Sequence, residues 1–256
     1  YLQVLKLISN LVGIIIITAM VAGKSPVYFL SGLGALTAVL IIVFKDTILS
    51  LVSSIQINSN NLFKIGDWIE APQFEADGNV VDIALHSVKV QNWDKTISVI
   101  PTSKLTESSF KNWKGMSDSG GRRIKRSIKI NMKSIKFCSN EMIEKYKSIE
   151  LIKTYINTKI EDIFIHNSEK NIDENDLLNG RALTNIGTFR AYVELYLKNH
   201  PKIHKEMTFL VRQLAPQPDG LPIEIYVFSK DTNWVNYESI QSDIFDHLLA
   251  ILPTFE

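Results

Sequence analysis

Few residues of this chain are of a type and spacing that could carry covalent chemistry. His200 and His204 stand at helical spacing, which can suit a metal. Pro201 lies between them, however, and no acidic residue sits at a metal-ligand distance in sequence. They are expected as solvated loop histidines, with no metal. His86, His166 and His247 are scattered, and Cys138 is the single cysteine. One cysteine excludes an internal disulfide and any cysteine-based zinc site made by this chain alone, and suits a reducing cytoplasm. Glu161-Asp162 and Asp173-Glu174 read as surface charge rather than an acid–base pair. Gly66-Asp67 and Asp77-Gly78 read as turn chemistry, since a glycine pair without a following helix cradles no phosphate. No nucleophile–base pairing emerges, so neither enzyme activity nor a cofactor is expected.

What can do physical work here is apolar. Through Phe63 the only charged residues are Lys6, Lys24, Lys45 and Asp46, and the remaining acids and bases nearly cancel to a net charge of +1. A chain almost uncharged for its first quarter and ordinary afterwards reads as a membrane part followed by a soluble part. The overall balance gives no electrostatic reason to expect nucleic acid. The 256 residues begin at Tyr1 rather than Met, so a longer protein is expected.

Val4 to Gly23 is apolar apart from Lys6, Ser9, Asn10 and Thr18, close to the ~20 residues that cross a hydrocarbon core. Lys24-Ser25-Pro26 is a tight break, and Val27 to Phe44 is a second apolar run, so the two form a hairpin. Nearly all Lys and Arg follow it, which places the soluble part in the cytoplasm. The second run is small-residue-rich from Ser31 to Ala38, which permits close helix approach, and bulky from Val39 to Phe44. At Lys45-Asp46 the span is expected to break, with Asp46 as N-cap of a new helix. Ile48, Leu49, Leu51, Val52 and Ile55 then form the apolar face of an amphipathic helix, with Ser50, Ser53, Ser54 and Gln56 opposite.

From Phe63 to Pro101 apolar residues alternate between turn signals, which predicts short strands of a compact, β-barrel-like sheet. Beyond it the spacing predicts a strand over 124–132, a helix over 140–159 and a polar loop over 167–181. A strand over 188–197, a helix over 205–214, a strand over 222–228 and a helix over 237–252 follow. That order suggests a ferredoxin-like α+β domain. The expected divisions are a transmembrane helix and tight loop (1–26), a pore-lining helix with amphipathic continuation (27–60), a β domain (61–114) and an α+β cytoplasmic domain (115–256).

The run Phe63-x-Ile65-Gly66-Asp67-Trp68-Ile69, the Gly78-x-Val80-x-Asp82-Ile83 stretch, Val99-Ile100-Pro101-Thr102-Ser103 and Asn112-Trp113 together resemble the β domain of the MscS family of mechanosensitive channels. The residues Asn112 to Ser117 and Gly120 to Ser127 are similar to its miniconductance, YbdG-like branch. The basic cluster over 122–126 reads as a solvated strand edge rather than a nucleic-acid or lipid contact. The sequence departs from the main family type in the bulky second half of the span, in Asp46 where glycine is usual, and in Thr102 where asparagine is usual.

The resemblance implies a bacterial inner-membrane channel of small conductance. It would be a homo-oligomer, a heptamer in this family, in contact with lipids and permeant ions and relieving osmotic stress. Aligned on the Phe63–Ile69 motif, it places Ala38 and Ile42 at the constriction and Lys45 and Asp46 at the cytoplasmic mouth. Ile48, Leu49 and Val52 would couple the helix to the β domain, marked by Gly66, Asp67, Trp68, Gly78 and Pro101. Two other readings compete. A membrane-anchored binding or signalling module has no need of the small-residue stretch. A transporter usually carries ionisable residues inside its spans, and these spans have none away from their ends.

Overall fold

A computed structural model describes residues 2–173 and 176–256. The chain divides into two compact units, one ending at Lys114 and the other comprising Gly115–Glu256.

In the first unit, α1 (Leu2–Val21) and α2 (Pro26–Ser59) are both long and apolar enough to cross a membrane. The turn between them follows from its residues. Gly23 takes φ +61, and the amides of Gly23 and Lys24 return to the carbonyls of Met20 and Ala19 at 3.3 and 3.1 Å. This paired bonding needs a left-handed residue after the last turn. Pro26 then starts α2, where a missing N–H costs nothing.

The expected break at Lys45-Asp46 is absent: α2 is one helix of 34 residues, about 50 Å long at 1.5 Å per residue. Asp46 caps nothing. Lys and Asp cost only tenths of a kcal/mol inside a helix, and no Gly or Pro lies between Gly34 and Ser59 to interrupt it. The helix ends instead at Asn61, whose φ is +49, with Leu62 N–H bonded to Ile57 O at 3.1 Å.

The β module contains β1 (Trp68–Ala71), β2 (Ala76–Ile83), β3 (Ser87–Asn92), β4 (Ile97–Pro101) and β5 (Lys111–Asn112), with the short helix α3 (Thr102–Glu107) after β4. The strands form one antiparallel sheet in the order β4-β3-β2-β1-β5. The sheet is open rather than closed into a barrel. Alternate residues of β2 and β3 (Ala76, Val80, Val88, Val90) turn inward, and with Phe63, Ile69, Ile100 and Leu105 they make a core that includes Ile57 of α2.

Asp77-Gly78 is not a turn. The chain reverses at Pro72–Phe74 and Glu75, which takes φ +50, and Gly78 lies inside β2 opposite Asn92. A Cβ at Gly78 would collide with the Gln91 carbonyl of β3, so glycine is there for close strand approach.

The short helix α4 (Lys114–Ser119) leads into the second unit, an α+β domain. Its elements are β6 (Arg122–Ile130), α5 (Asn140–Lys147), α6 (Glu150–Glu169), α7 (Asn185–Asn199), β7 (Leu210–Gln213), β8 (Leu221–Ser229) and α8 (Trp234–Ile251). The open antiparallel sheet runs β6-β8-β7. Ile124, Ile128, Ile223, Ile225 and Val227 meet Phe189, Val193, Ile240, Ile244 and Leu248 in one core.

Three expectations fail here. Residues 188–197 are helical: Thr184 caps α7, its Oγ1 accepting from Gly187 N–H at 3.2 Å, and Phe189, Tyr192, Val193 and Leu197 line a helical buried face. Residues 205–214 hold no helix, but carry β7, paired to β8. The helix expected over 140–159 is two, and α6 continues to Glu169 into the expected loop. Glu161 and Asp162 are exposed on α6; Asp173 is described, whereas Glu174 lies outside the described residues.

Candidate pore helix and its junction with the β module

Because α2 is continuous, its residues fall into stripes set by helical spacing. Ala38, Ile42, Lys45, Leu49 and Val52 follow one another at intervals of four and three. Asp46, Ser50, Ser53 and Ile57 form the neighbouring stripe. Beyond Asp46 the two stripes have opposite fates. Ala38, Lys45 and Asp46 are exposed in the single chain, and Ile42 is 74% exposed. Ile48, Leu49 and Val52 are exposed too, whereas Ser50, Ser53 and Ile57 are buried.

The amphipathic end of α2 is therefore seated the reverse way from its sequence pattern. Its serine face packs on α3, and its apolar face is left open. Thr106 Oγ1 donates to Ser53 Oγ at 2.7 Å across this contact, beside the buried Thr102 and Ser103. Sequence reasoning missed Ser50, Ser53 and Thr106 as junction residues. The available signal was two small hydroxyl side chains one helical turn apart, which let a second helix approach closely.

The motif residues of the β module come together. Gly66 takes φ +93 in the turn before β1, with its N–H on Val80 O at 2.8 Å. Asp67 Oδ2 accepts from Lys64 N–H at 2.9 Å and from Asn112 Nδ2 at 3.3 Å, tying that turn to β5. Trp68 stacks on Trp113 with ring centroids 4.7 Å apart and meets Trp93 edge-on at 5.2 Å. Asp77 Oδ1 accepts from both Trp68 Nε1 (2.7 Å) and Trp93 Nε1 (3.2 Å). Pro101 ends β4 and precedes α3, where Thr102 N–H bonds His86 O at 3.1 Å. These residues position strands.

Elsewhere the candidate ligands disperse. His204 Nε2 lies 3.1 Å from Gly120 O, while His200 packs edge-on against Tyr196. Burial pushes the His200 pKa down, helped by Lys202 and opposed by Asp243. Among the described residues no group of three or more His, Cys, Asp or Glu side chains could hold a metal ion.

The family description "Mechanosensitive ion channel, beta-domain" matches residues 46–115, and "Mechanosensitive ion channel MscS, C-terminal" matches residues 192–254. Together they take in just over half of the chain. The chain belongs to the MscS family.

Its relatives include the low conductance mechanosensitive channel YnaI of Escherichia coli, 24% identical over 82% of this chain and 46% of that protein. The small-conductance mechanosensitive channel MscMJ of Methanocaldococcus jannaschii is 30% identical over 43% of this chain and 31% of its own length. The MscS fold is shared with Helicobacter pylori MscS in its closed state, at TM-score 0.54 and 16% identity, covering 98% of this chain and 76% of that one. Arabidopsis thaliana MSL1 gives TM-score 0.61 at 13% identity, covering 98% and 72%. The chain spans less than half the length of the curated relatives it matches.

Proposed function

We propose that this MscS-family chain forms a tension-gated ion channel of small conductance, in which α2 of each subunit lines a shared pore. The observation that carries the reading is the reversed seating of α2. A stripe from Ala38 through Ile42 to Val52, apolar but for Lys45, stays uncovered while the serine stripe is fastened to the β module. A soluble monomer does not leave such a stripe open; a ring of identical helices around an axis covers it.

Ala38 and Ile42, one turn apart, form apolar rings that exclude ions by dewetting. Membrane tension favours the state of larger area, so outward tilting of α2 widens and wets the rings, which is population shift with tension as the effector. Lys45 and Asp46 lie about one turn beyond Ile42 and bias which ions approach. Ile48, Leu49 and Val52 then face lipid or a neighbouring subunit. The bulky Leu40–Phe44 stretch narrows the pore and favours the miniconductance branch, and the name of the relative YnaI agrees with low conductance.

On this reading residues 1–26 and 27–60 are the membrane hairpin and pore helix, 61–114 the β domain and 115–256 a cytoplasmic vestibule. Seven copies sit in a bacterial inner membrane and release ions and small solutes on hypoosmotic shock. Patch-clamp recording of purified protein in liposomes under graded suction tests it. Stepwise currents that appear with suction are expected, and silence at every tension short of membrane rupture overturns it.

A further inference from the structure

The second unit contains a cleft of about 540 Å³ between α6 and the segment that leads into α7, within the range of small-molecule sites. One wall is a single face of α6, where Tyr155, Lys159 and Asp162 follow at helical spacing; the other carries Leu177, Leu178 and Arg181, with Phe137 beside them.

The backbone beside the cleft is held at Arg181, Leu183 and Phe137. Buried Asn167, at the end of α6, holds the Arg181 backbone from both sides: its Nδ2 donates to Arg181 O at 3.0 Å and its Oδ1 accepts from Arg181 N–H at 2.9 Å. Cys138 N–H bonds Leu183 O at 2.8 Å, and Phe137 pairs with Thr184 across an isolated bridge.

The charge of the cleft is unbalanced. Lys159 meets Asp162 at 3.6 Å with both side chains about half exposed, a contact worth little. The Arg181 guanidinium pairs with no carboxylate among the described residues, and the Tyr155 hydroxyl makes no hydrogen bond among them. The apolar wall is equally unspent, with Phe137 and Leu177 about two-fifths exposed and Leu178 90% exposed. The amides of the first turn of α7 are already taken by Lys136 O, Asn185 Oδ1 and Thr184 Oγ1. Recognition must therefore come from side chains.

We propose that this cleft is a binding site for a small organic anion, its acid group held by Lys159 and Arg181 and its apolar body laid against Phe137, Leu177 and Leu178. Arg181 suits a carboxylate or phosphate because its planar fork can give two parallel hydrogen bonds. The requirement for an apolar body separates this site from a surface that merely collects ions.

Isothermal titration of the full chain in detergent, with phenyl phosphate, benzoate and inorganic phosphate as probes, tests the proposal. Saturable binding of phenyl phosphate or benzoate at one site per chain is expected, with inorganic phosphate at least about tenfold weaker for want of an apolar body. Arg181→Gln together with Lys159→Gln is expected to weaken binding about tenfold or more. Leu178→Glu weakens it without removing either cation, and Lys153→Gln, on α6 but outside the cleft, leaves it unchanged. Circular dichroism confirms that each variant is folded. No saturable heat with either organic probe overturns the proposal, as does unchanged binding in the double variant. Inorganic phosphate binding as tightly as phenyl phosphate overturns it too.

Discussion

Ser53 and Thr106, 53 residues apart in sequence, share a hydrogen bond of 2.7 Å that fastens the long second helix to the β module. Ser53 is buried, and Thr106 Oγ1 also lies 2.9 Å from Ser103 O. Thr106→Val strands the Ser53 hydroxyl and is expected to cost about 1–3 kcal/mol. Ser53→Ala leaves Thr106 its local acceptor and costs less, about 0.5–1 kcal/mol. The double variant should be destabilised by less than the sum, because an apolar pair replaces a polar one. Thermal unfolding of the purified chain measures all three, and strict additivity counts against a direct bond.

The pore reading makes a separate claim about Ile42. Ile42→Ser replaces an apolar ring with hydroxyls that hold water in the constriction. Current without suction is expected in liposome patches, together with slowed growth of cells that express the variant. Unchanged tension-gated current would remove Ile42 from the gate.

Gly78 has no room for a side chain, because a Cβ would meet the Gln91 carbonyl and its backbone neighbours on β3. Gly78→Ala is expected to destabilise the β module by more than about 3 kcal/mol by forcing the central strands apart. Gly115, in α4 with open space around it, is the control: Gly115→Ala should not lower the melting temperature.

Asp77 holds two indoles on one oxygen. Asp77→Ala removes that acceptor and is expected to cost about 1 kcal/mol. Trp68 and Trp93 should lose their fixed edge-on geometry, which changes the tryptophan emission. Asp77→Asn retains an acceptor and should resemble the parent more closely. Identical spectra for all three proteins would show that the shared carboxylate does not set the ring geometry.

Burial pushes the Cys138 thiol above its ordinary pKa, against smaller opposing effects of a Thr188 hydrogen bond and of Lys136. The thiolate is the reactive form, so at pH 8 this cysteine should react with a thiol reagent more slowly than a free thiol. Its rate should still be rising with pH where a free thiol has levelled off. As the single cysteine in the sequence, it gives an unambiguous signal.

The membrane hairpin, the β strands and the last helix were legible because long apolar periods or repeated alternation leave one solution. Residues 188–197 were not. Phe189, Ala191, Val193 and Leu195 alternate as a strand would, yet Phe189, Tyr192, Val193 and Tyr196 also satisfy a helix, and the Thr184 cap decides it. The unbroken course of α2 through Lys45-Asp46 was hidden by the capping preference of aspartate, which is outweighed once both flanking turns are helical. The junction on α3 and the cleft beside α6 depend on residues that folding brings from far along the chain. No local spacing encodes such meetings.

The serine stripe on α2 also sets how that helix can move. The hydroxyl contacts of Ser50 and Ser53 can be exchanged for water, but Ile57 on the same stripe is sealed in the β-module core, and parting the seam there would bare hydrocarbon. Ser50 and Ser53 repeat about one helical turn apart. The seam is thus graded along the helix, wettable at the two serine turns and anchored at Ile57.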